Sequence, residues 1–476
     1  MFTLSLRPLT LGLLLLALLV AGPAARATTV GGTLTSNTTW TAAQSPYLIF
    51  TNLVVPSNLT LTVQAGVTVR LTNSRSISVL TGASLVVQGT ATSPVQFVPM
   101  VGTNNWGTIS AGGTNSLLTI RHAEIARGGV NFGALSTGLI EDSYLHDVPS
   151  PLASTAARLI TLRRIHVNNY KSCAFNSGSI LLVEDSLFEN MTLANADAFE
   201  IQGGPPGSII RRCTFRHSTG SNSDAVDCNG STNVLVQDCL IYDFTDKALS
   251  FGTATAFDQP ASLGIVISNC LIYGVDSCIS VKDKSTASLF QNTFVGANYG
   301  VRLYQKYTPL VAGGGGRITN AQNNIIWGNA TNLSIATNSS LVATYSDIGR
   351  TNFPGAGNVN SDPLFLSAAA RDYRLAPNSP AAGTGAAGRN MGARFPVGAP
   401  MASSHPQIES ESISNGVATV SFWADSEKSY TLQVSDVVRG GLWTTVTNVP
   451  TRALPVFVEV RRILPPGHSF FRLQTP

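Results

Sequence analysis

The chain has 476 residues, enough for about three globular domains of ordinary size, yet only 12% are charged where about 25% is usual for a soluble protein. With 43 glycines and a hydrophobic fraction of 43% it is turn-rich but well supplied with core material, which excludes a largely disordered chain. The formal charge is +4, and it falls to +2 (28 basic against 26 acidic residues) once Arg7 and Arg26 of the leader are set aside, so neither a nucleic acid nor an anionic membrane is the implied partner.

Residues 1–27 read as a secretory signal peptide: Arg7 supplies the positive end, 11–20 the apolar run, and Ala25-Arg26-Ala27 the small-residue close. The run is too short for a comfortable membrane span, and no later stretch approaches the roughly 20 apolar residues a helix needs. The expectation is an exported protein, secreted or held at the cell surface, monomeric and without a membrane span.

Upstream of residue 113, the segments 59–71 (LTLTVQAGVTVRL), 77–90 (ISVLTGASLVVQGT) and 94–100 (PVQFVPM) alternate apolar with polar residues, and 104–113 (NNWGTISAGG) leads onward. From residue 120 one strand phrase recurs: Ile120-RHAEIA, Ile140-EDSYLH, Leu162-RRIHVN, Val183-EDSLFE, Ile210-RRCTFR, Val236-QDCLIY, Ile267-SNCLIY, Phe290-QNTFVG and Ala321-QNNIIW. Its steps run from 20 to 31 residues, and no segment carries a 3.6-residue period, which excludes the helical solenoids. Such a repeat fits one coil of a parallel β-helix, in which neighbouring coils stack at about 4.8 Å and surplus residues bulge outward as turns.

These phrases resemble exported right-handed parallel β-helix proteins of the pectate-lyase-like group, in which a GVTV coil is followed by a G-x-L-x-x-x-GT phrase, a Pro-led strand and W-G-x-I. NSDPLF (360–365) and DYRLAPNSPAAGTG (372–385) resemble the closing phrase of the same group, so the resemblance spans roughly residues 48–390. It implies the fold and says little of activity, because this fold carries lyases, hydrolases, epimerases and adhesins alike. After a Gly- and Ala-rich stretch, about five short strands from Gln407 onward suggest a small β-sandwich, similar to the immunoglobulin-like modules that end many exported bacterial proteins in FYRL. The expected layout is therefore a signal peptide (1–27), a lead-in with the first coils (28–112), the β-helix proper (113–390), a linker (391–404) and a sandwich module (405–476).

Six cysteines in an exported chain allow 15 disulfide pairings. Cys213, Cys239 and Cys270 occupy the same place in the repeated phrase, however, which stacks them along an interior wall and points to free, buried thiols.

Chemistry has few local signatures here. HExxH, GxSxG, a phosphate-loop Gly-Lys and CxxC are all missing from the sequence, and the six histidines are scattered. What remains is the second strand of each coil: SCAFN from Ser172, DAFEI from Asp197, DAVDC from Asp224, KALSF from Lys247, SCISV from Ser277 and YGVRL from Tyr299. The third and fifth positions point inward and the first and fourth face solvent, so Asp197, Glu200, Asp224 and Asp227 form a carboxylate cluster over two coils. Like charges about 5 Å apart either raise some pKa values or hold a cation, and oxygen ligands at this density suit Ca²⁺.

Lys247 continues the Asp197 and Asp224 column, where a neighbouring cation depresses its pKa and makes it a base. Lys282, Lys284, Arg302, Tyr304 and Lys306 follow on the same face and would contact an acidic extracellular polysaccharide. The set resembles, over Asp197, Asp224, Asp227 and Lys247, the calcium-dependent pectate lyases of the β-helix group. That resemblance implies β-elimination at a uronate with Lys247 as base, although DAVD stands where a DDG-type phrase is usual and Glu200 has no counterpart.

Two other readings stay open. A glycoside hydrolase would use Asp224, Asp227 and Asp246 as acid and base. A non-catalytic solenoid would bind glycan or a partner protein, with Tyr242, Tyr273 and Trp327 either presented on that face or packed at its edge. Taken one at a time, the acidic residues also suit solenoid turns and inter-coil ion pairs.

Overall fold

A computed structural model describes residues 27–102, 104–203, 207–349 and 353–400, and then 408–414, 417–424, 429–436, 442–450, 456–463 and 470–474. All but the last residue of the expected leader, and residues 401–407 where the expected linker meets the expected sandwich module, lie outside the described residues. Among the described residues no helix is long and apolar enough to cross a membrane.

The alternating segments stack as a parallel β-solenoid, with strands joined into one 13-stranded and one 25-stranded sheet. In the smaller sheet Ile120, Ile140, Leu162, Val183, Ile210, Val236, Ile267, Leu289 and Ala321 sit in direct register from coil to coil. All are buried, so each coil closes the apolar floor of the next. The eighth coil is registered on Leu289, one residue before the expected Phe290. Within 28–112, expected to hold a lead-in and the first coils, parallel pairing begins at once: Thr28–Thr33 pairs with Tyr47–Val55, and Thr38–Trp40 with Thr60–Gln64.

Each repeat turns between its two sheets at a residue of positive φ: His122, Asp142, Arg164, Asp185, Arg212, Asp238, Asn269, Gln291, Asn323 and Tyr345. A left-handed backbone residue is the sharpest bend an L-residue chain tolerates, and Asn and Asp tolerate it best. The next residue inward forms a continuous interior column. Cys213, Cys239 and Cys270 lie in it, and all six cysteines of the chain are free and buried. Beyond Cys270 the column becomes an amide ladder, in which Asn292 Nδ2 donates to Asn324 Oδ1 (2.9 Å) and Cys270 N donates to Asn292 Oδ1 (2.9 Å).

Outside the same bend, charges alternate in sign along the axis. Arg121 pairs with Glu141 (3.1 Å), Arg163 with Glu184 (3.0 Å), Arg164 with Asp142 (2.7 Å) and Arg212 with Asp185 (2.6 Å). Pairing of this kind fixes which coil stacks on which.

Residues 391–400, expected as linker, run back along the solenoid as a strap. Arg394 N donates to Asn269 Oδ1 (2.6 Å), Gly398 N to Asp238 O (2.8 Å) and Ala399 N to Thr214 Oγ1 (2.8 Å). Among its described residues the C-terminal part has six strands in two three-stranded antiparallel sheets, one more than the alternation suggests. Ile408–Ser414 (IESESIS) is the addition, a strand with too few apolar residues to announce itself. Val420, Phe422 and Ala424 of one sheet share a core with Tyr430, Leu432 and Val449 of the other, which makes the pair a small sandwich.

Candidate functional site

The recurring phrases N-x-D-A-F-E-I-Q and N-x-D-A-V-D-C-N begin at Asn195 and Asn222, 27 residues apart. Register places Phe199–Gln202 on Val226–Asn229, which in turn lies on Lys247–Gly252, Ser277–Lys282 and Tyr299–Tyr304. Phe199, Val226, Leu249, Ile279 and Val301 point inward. Glu200, Asp227, Ser250, Ser280 and Arg302 therefore share one outward column, and Asp197, Asp224, Lys247 and Ser277 precede the inward residues on the same coils. The expected frame of Ser172-CAFN slips by one, since Cys173, not Ala174, pairs with Phe199.

A cleft of about 240 Å³, almost wholly polar, opens over these coils. Its acidic end holds Asp197, Glu200 and Asp227, each offering an oxygen within 4.8 Å of the others. Asp227 is 6% exposed, and its Oδ1 is buried without a hydrogen-bond partner. Its other oxygen accepts from Asn229, as Glu200 accepts from Gln202. Burial first, then the charges of Asp227 and Asp224, pushes Asp197 up to about 8. Burial and then Asp227 raise Glu200, against the hydrogen bond from Gln202. An orphaned buried oxygen among repelling carboxylates is the donor set a hard divalent cation resolves, so these three residues fit a Ca²⁺-type ion.

Asp224, expected as a fourth ligand, turns the other way. Its Oδ1 accepts from the backbone N (3.0 Å) and from Nζ (3.3 Å) of Lys247, and its own backbone N donates to Asp197 Oδ1 (3.1 Å). Burial raises Asp224 to about 6, with Lys247 opposing the rise. Lys247 also pairs with Asp246. Although desolvation works to lower the lysine, the Asp224 and Asp246 carboxylates hold it well above the usual lysine range. The depressed Lys247 expected of a ready base depends on a cation beside it, and the carboxylates alone act the other way. This lysine is a firmly held ammonium, because two carboxylates face it and no positive charge is paired to it.

At the basic end, Lys282 and Lys306 line the cleft with Thr253 and Ala254. Lys284 stands outside it, exposed, its Nζ 3.8 Å from the centre of the Phe257 ring. Arg302 lies one coil beyond Lys282's strand, between the rings of Tyr299 (4.7 Å) and Tyr304 (4.9 Å), and does not reach the cleft wall. Thus Asp197, Glu200, Asp224, Asp227, Lys247, Lys282 and Lys306 are brought together, while Lys284, Arg302 and Tyr304 are not. Asn195, Asn222, Gln202, Asn229 and Thr253 were not singled out by sequence reasoning. Four of them are fixed positions of the 27-residue repeat, which was the available signal.

Tyr242, Tyr273 and Trp327 pack instead of being presented. Tyr242 stacks on Tyr273 (5.0 Å), Tyr273 meets Tyr373 (5.3 Å), and Trp327 packs with Phe365 against the core beneath the returning chain.

Residues 152–313 match the right-handed β-helix region family, and residues 32–137 match the pectate-lyase-like β-helix domain. No curated protein matches the chain. Among solved structures it is similar to the tailspike protein of E. coli bacteriophage HK620 in complex with a hexasaccharide, at 11% identity over 91% of this chain and 86% of that one, with a TM-score of 0.33. A second form of that tailspike, in complex with a pentasaccharide, gives 10% identity over 87% and 86% and a TM-score of 0.30. PfbA, a surface adhesin of Streptococcus pneumoniae, gives 10% identity over 62% of this chain and 84% of that one, with a TM-score of 0.19.

Proposed function

From the matches of residues 152–313 to the right-handed β-helix region and of residues 32–137 to the pectate-lyase-like β-helix domain, together with the site geometry, we propose that the cleft binds an acidic, uronate-containing polysaccharide outside the cell and cleaves it by β-elimination. The observation that carries this reading is the buried, unpartnered Oδ1 of Asp227, set between Asp197 and Glu200 and facing a lysine-lined end. A divalent cation such as Ca²⁺, held by Asp197, Glu200 and Asp227, would supply the positive charge that offsets a uronate carboxylate and acidifies its C5 proton.

The proton work falls to the neighbouring pair. Asp224, at about 6, is poised near neutral pH and takes the C5 proton, the more so because Lys247 holds its carboxylate in place. The electron pair of the C5–H bond becomes the C4–C5 double bond, the C4–O4 bond breaks, and the Lys247 ammonium protonates the departing oxygen. Relative to the family resemblance, Asp224 and Lys247 exchange duties, which follows from their charge states.

The test is a panel of uronate-containing polysaccharides, with Ca²⁺ or EDTA, followed by absorbance of the unsaturated uronate. A cation-dependent rise, abolished in Lys247→Ala and Asp224→Asn, is expected. A flat trace with glycan binding retained overturns catalysis and leaves a binding solenoid.

One observation favours a second reading. Asp197, at about 8, stays protonated beside ionised neighbours, which is the acid of a glycoside hydrolase. New reducing ends without the unsaturated product would identify that chemistry.

A further inference from the structure

Lys282 is the last residue of the strand Ser277–Lys282, yet its side chain reaches back over the preceding coil, where Nζ donates to Ser250 Oγ (2.8 Å). Ser250 is the register partner of Asp227, so the ammonium lies one coil, about 4.8 Å along the axis, from the acidic end. Gly252 makes the reach possible: a Cβ there would come within 2.9 Å of Lys282 Cε. Lys282 is only 5% exposed, and among the described residues it forms no ion pair. An ammonium has three N–H donors and this one uses a single hydroxyl, while the Asp224 carboxylate attracts it only from beyond ion-pair distance, so its remaining donors stay unmet.

Two neighbours point the same way. Thr253 is 3% exposed, lines the cleft and carries an Oγ1 with no hydrogen-bond partner. Asp283, fully buried, accepts from the backbone N of Lys306 (2.7 Å) and of Tyr307 (3.0 Å), and so holds the segment that brings Lys306 to the cleft wall.

We infer that Lys282, Thr253 and Lys306 form an oxyanion subsite that reads a carboxylate or sulfate group on the bound saccharide. This rests on the reading of the cleft as an acidic-polysaccharide site. The subsite lies one coil from the acidic end, since Lys282 reaches Ser250, the register partner of Asp227. A neutral sugar leaves Lys282 buried and unpaired, so the subsite selects by rejection as well as by attraction.

The test titrates the mature protein, in Ca²⁺, with galacturonate oligomers, a sulfated galactan and the same galactan unsulfated. The arms separate carboxylate from sulfate. Wild type binds an anionic oligomer and not the neutral galactan, and Lys282→Met weakens that binding about 30-fold or more with thermal stability kept or raised. Gly252→Ala keeps the charge but displaces the lysine arm, and it weakens the same binding with stability nearly unchanged. Unaltered binding by Lys282→Met, or equal binding of the neutral galactan by wild type, overturns the inference. If wild type binds no oligomer, titration with inorganic sulfate decides. Sulfate binding that Lys282→Met abolishes keeps the subsite while the polysaccharide reading fails, and no sulfate binding overturns both.

Discussion

Asp197→Asn should stabilise the cation-free protein at alkaline pH and erase its stabilisation by calcium. The Asp197 carboxyl stands at about 8 in the fold against an ordinary 3.8. A group raised on folding contributes stability that is fully present below its unfolded pKa and is lost as pH rises to the folded one. The loss here runs from about pH 4 to pH 8. Roughly four pH units at 1.36 kcal/mol each come to about 5 to 6 kcal/mol, and sharing that titration with Asp224, which burial also raises, leaves about 2 to 3 kcal/mol for Asp197. With an unfolding entropy of about 2.1 cal/mol/K per residue over roughly 370 solenoid residues, the gain in Tm is on the order of 3 to 4 °C. Thermal melts of wild type and variant in EDTA, from pH 4 to pH 9, should coincide near pH 4, separate progressively from there with the variant higher, and run parallel above about pH 8. Millimolar Ca²⁺ should lift wild type at pH 8 and leave the variant unmoved. Parallel curves across the whole range, or an equal calcium response in both proteins, would refute the account of the cluster.

Asn324→Ala removes two donors and an acceptor from a fully buried ladder, leaving Asn292 N and Nδ2 short of a partner. At about 1 to 3 kcal/mol for each orphaned group it should cost about 3 kcal/mol or more by denaturant melts, with hydrogen exchange speeding first in the flanking coils. Gly128→Ala would place a methyl group inside the Trp106 indole, an overpacking worth about 1 to 3 kcal/mol or more, read as a lower Tm with loss of the buried tryptophan fluorescence. The six thiols, free and buried, should resist a thiol reagent in the native protein, and all six should react in denaturant without reductant. Fewer than six would mean a disulfide. Lys247→Ala strips the buried Asp224 of its ammonium and should abolish turnover, while Lys247→Arg, which keeps the charge, should restore stability more fully than rate.

The solenoid was legible because it is periodic. A coil that cannot bury its own apolar face repeats the same solution, and nine copies of one phrase are hard to mistake. The two misplaced frames, at Ser172 and Phe290, each slide by one residue where a neighbouring apolar residue offers an alternative inward position: Phe290 stands beside Leu289, and Cys173 rather than Ala174 takes the inward place opposite Phe199. The acidic cluster was legible from outward positions alone. The direction each carboxylate faces was not, because Asp224 is claimed by a lysine on the next coil, and that is a contact across the stack. Lys282 was legible as a face residue, whereas its backward reach is announced only by the missing side chain at Gly252. The Arg and Glu ladders at the bend were invisible for the same reason as the Asp224 pairing.

Those ladders bear on why the cleft is more than a run of polar turns. At the bend, Arg121, Glu141, Arg163 and Glu184 follow one another with alternating sign, and Asp142, Arg164, Asp185, Arg212 and Asp238 do the same beside them. The outward face of the neighbouring strands obeys that rule too, with His166, Glu189 and Arg216 joined in sequence (2.8 and 2.7 Å). Stacking at about 4.8 Å makes like charges in one column costly, and the fold meets that cost by alternation wherever charge serves only to pair coils. Asp197 above Asp224 and Glu200 above Asp227 break the rule twice on one pair of coils, Phe199–Gln202 and Val226–Asn229, whereas at the bend that follows each of them Arg212 and Asp238 keep the alternating order. The repulsion is thus local to the cleft, and a stack optimised for stability alone would place a lysine or an amide at one of the four positions. A cation, or an anionic sugar bound through one, removes the penalty, and this ties the stability of those two coils to occupancy of the site.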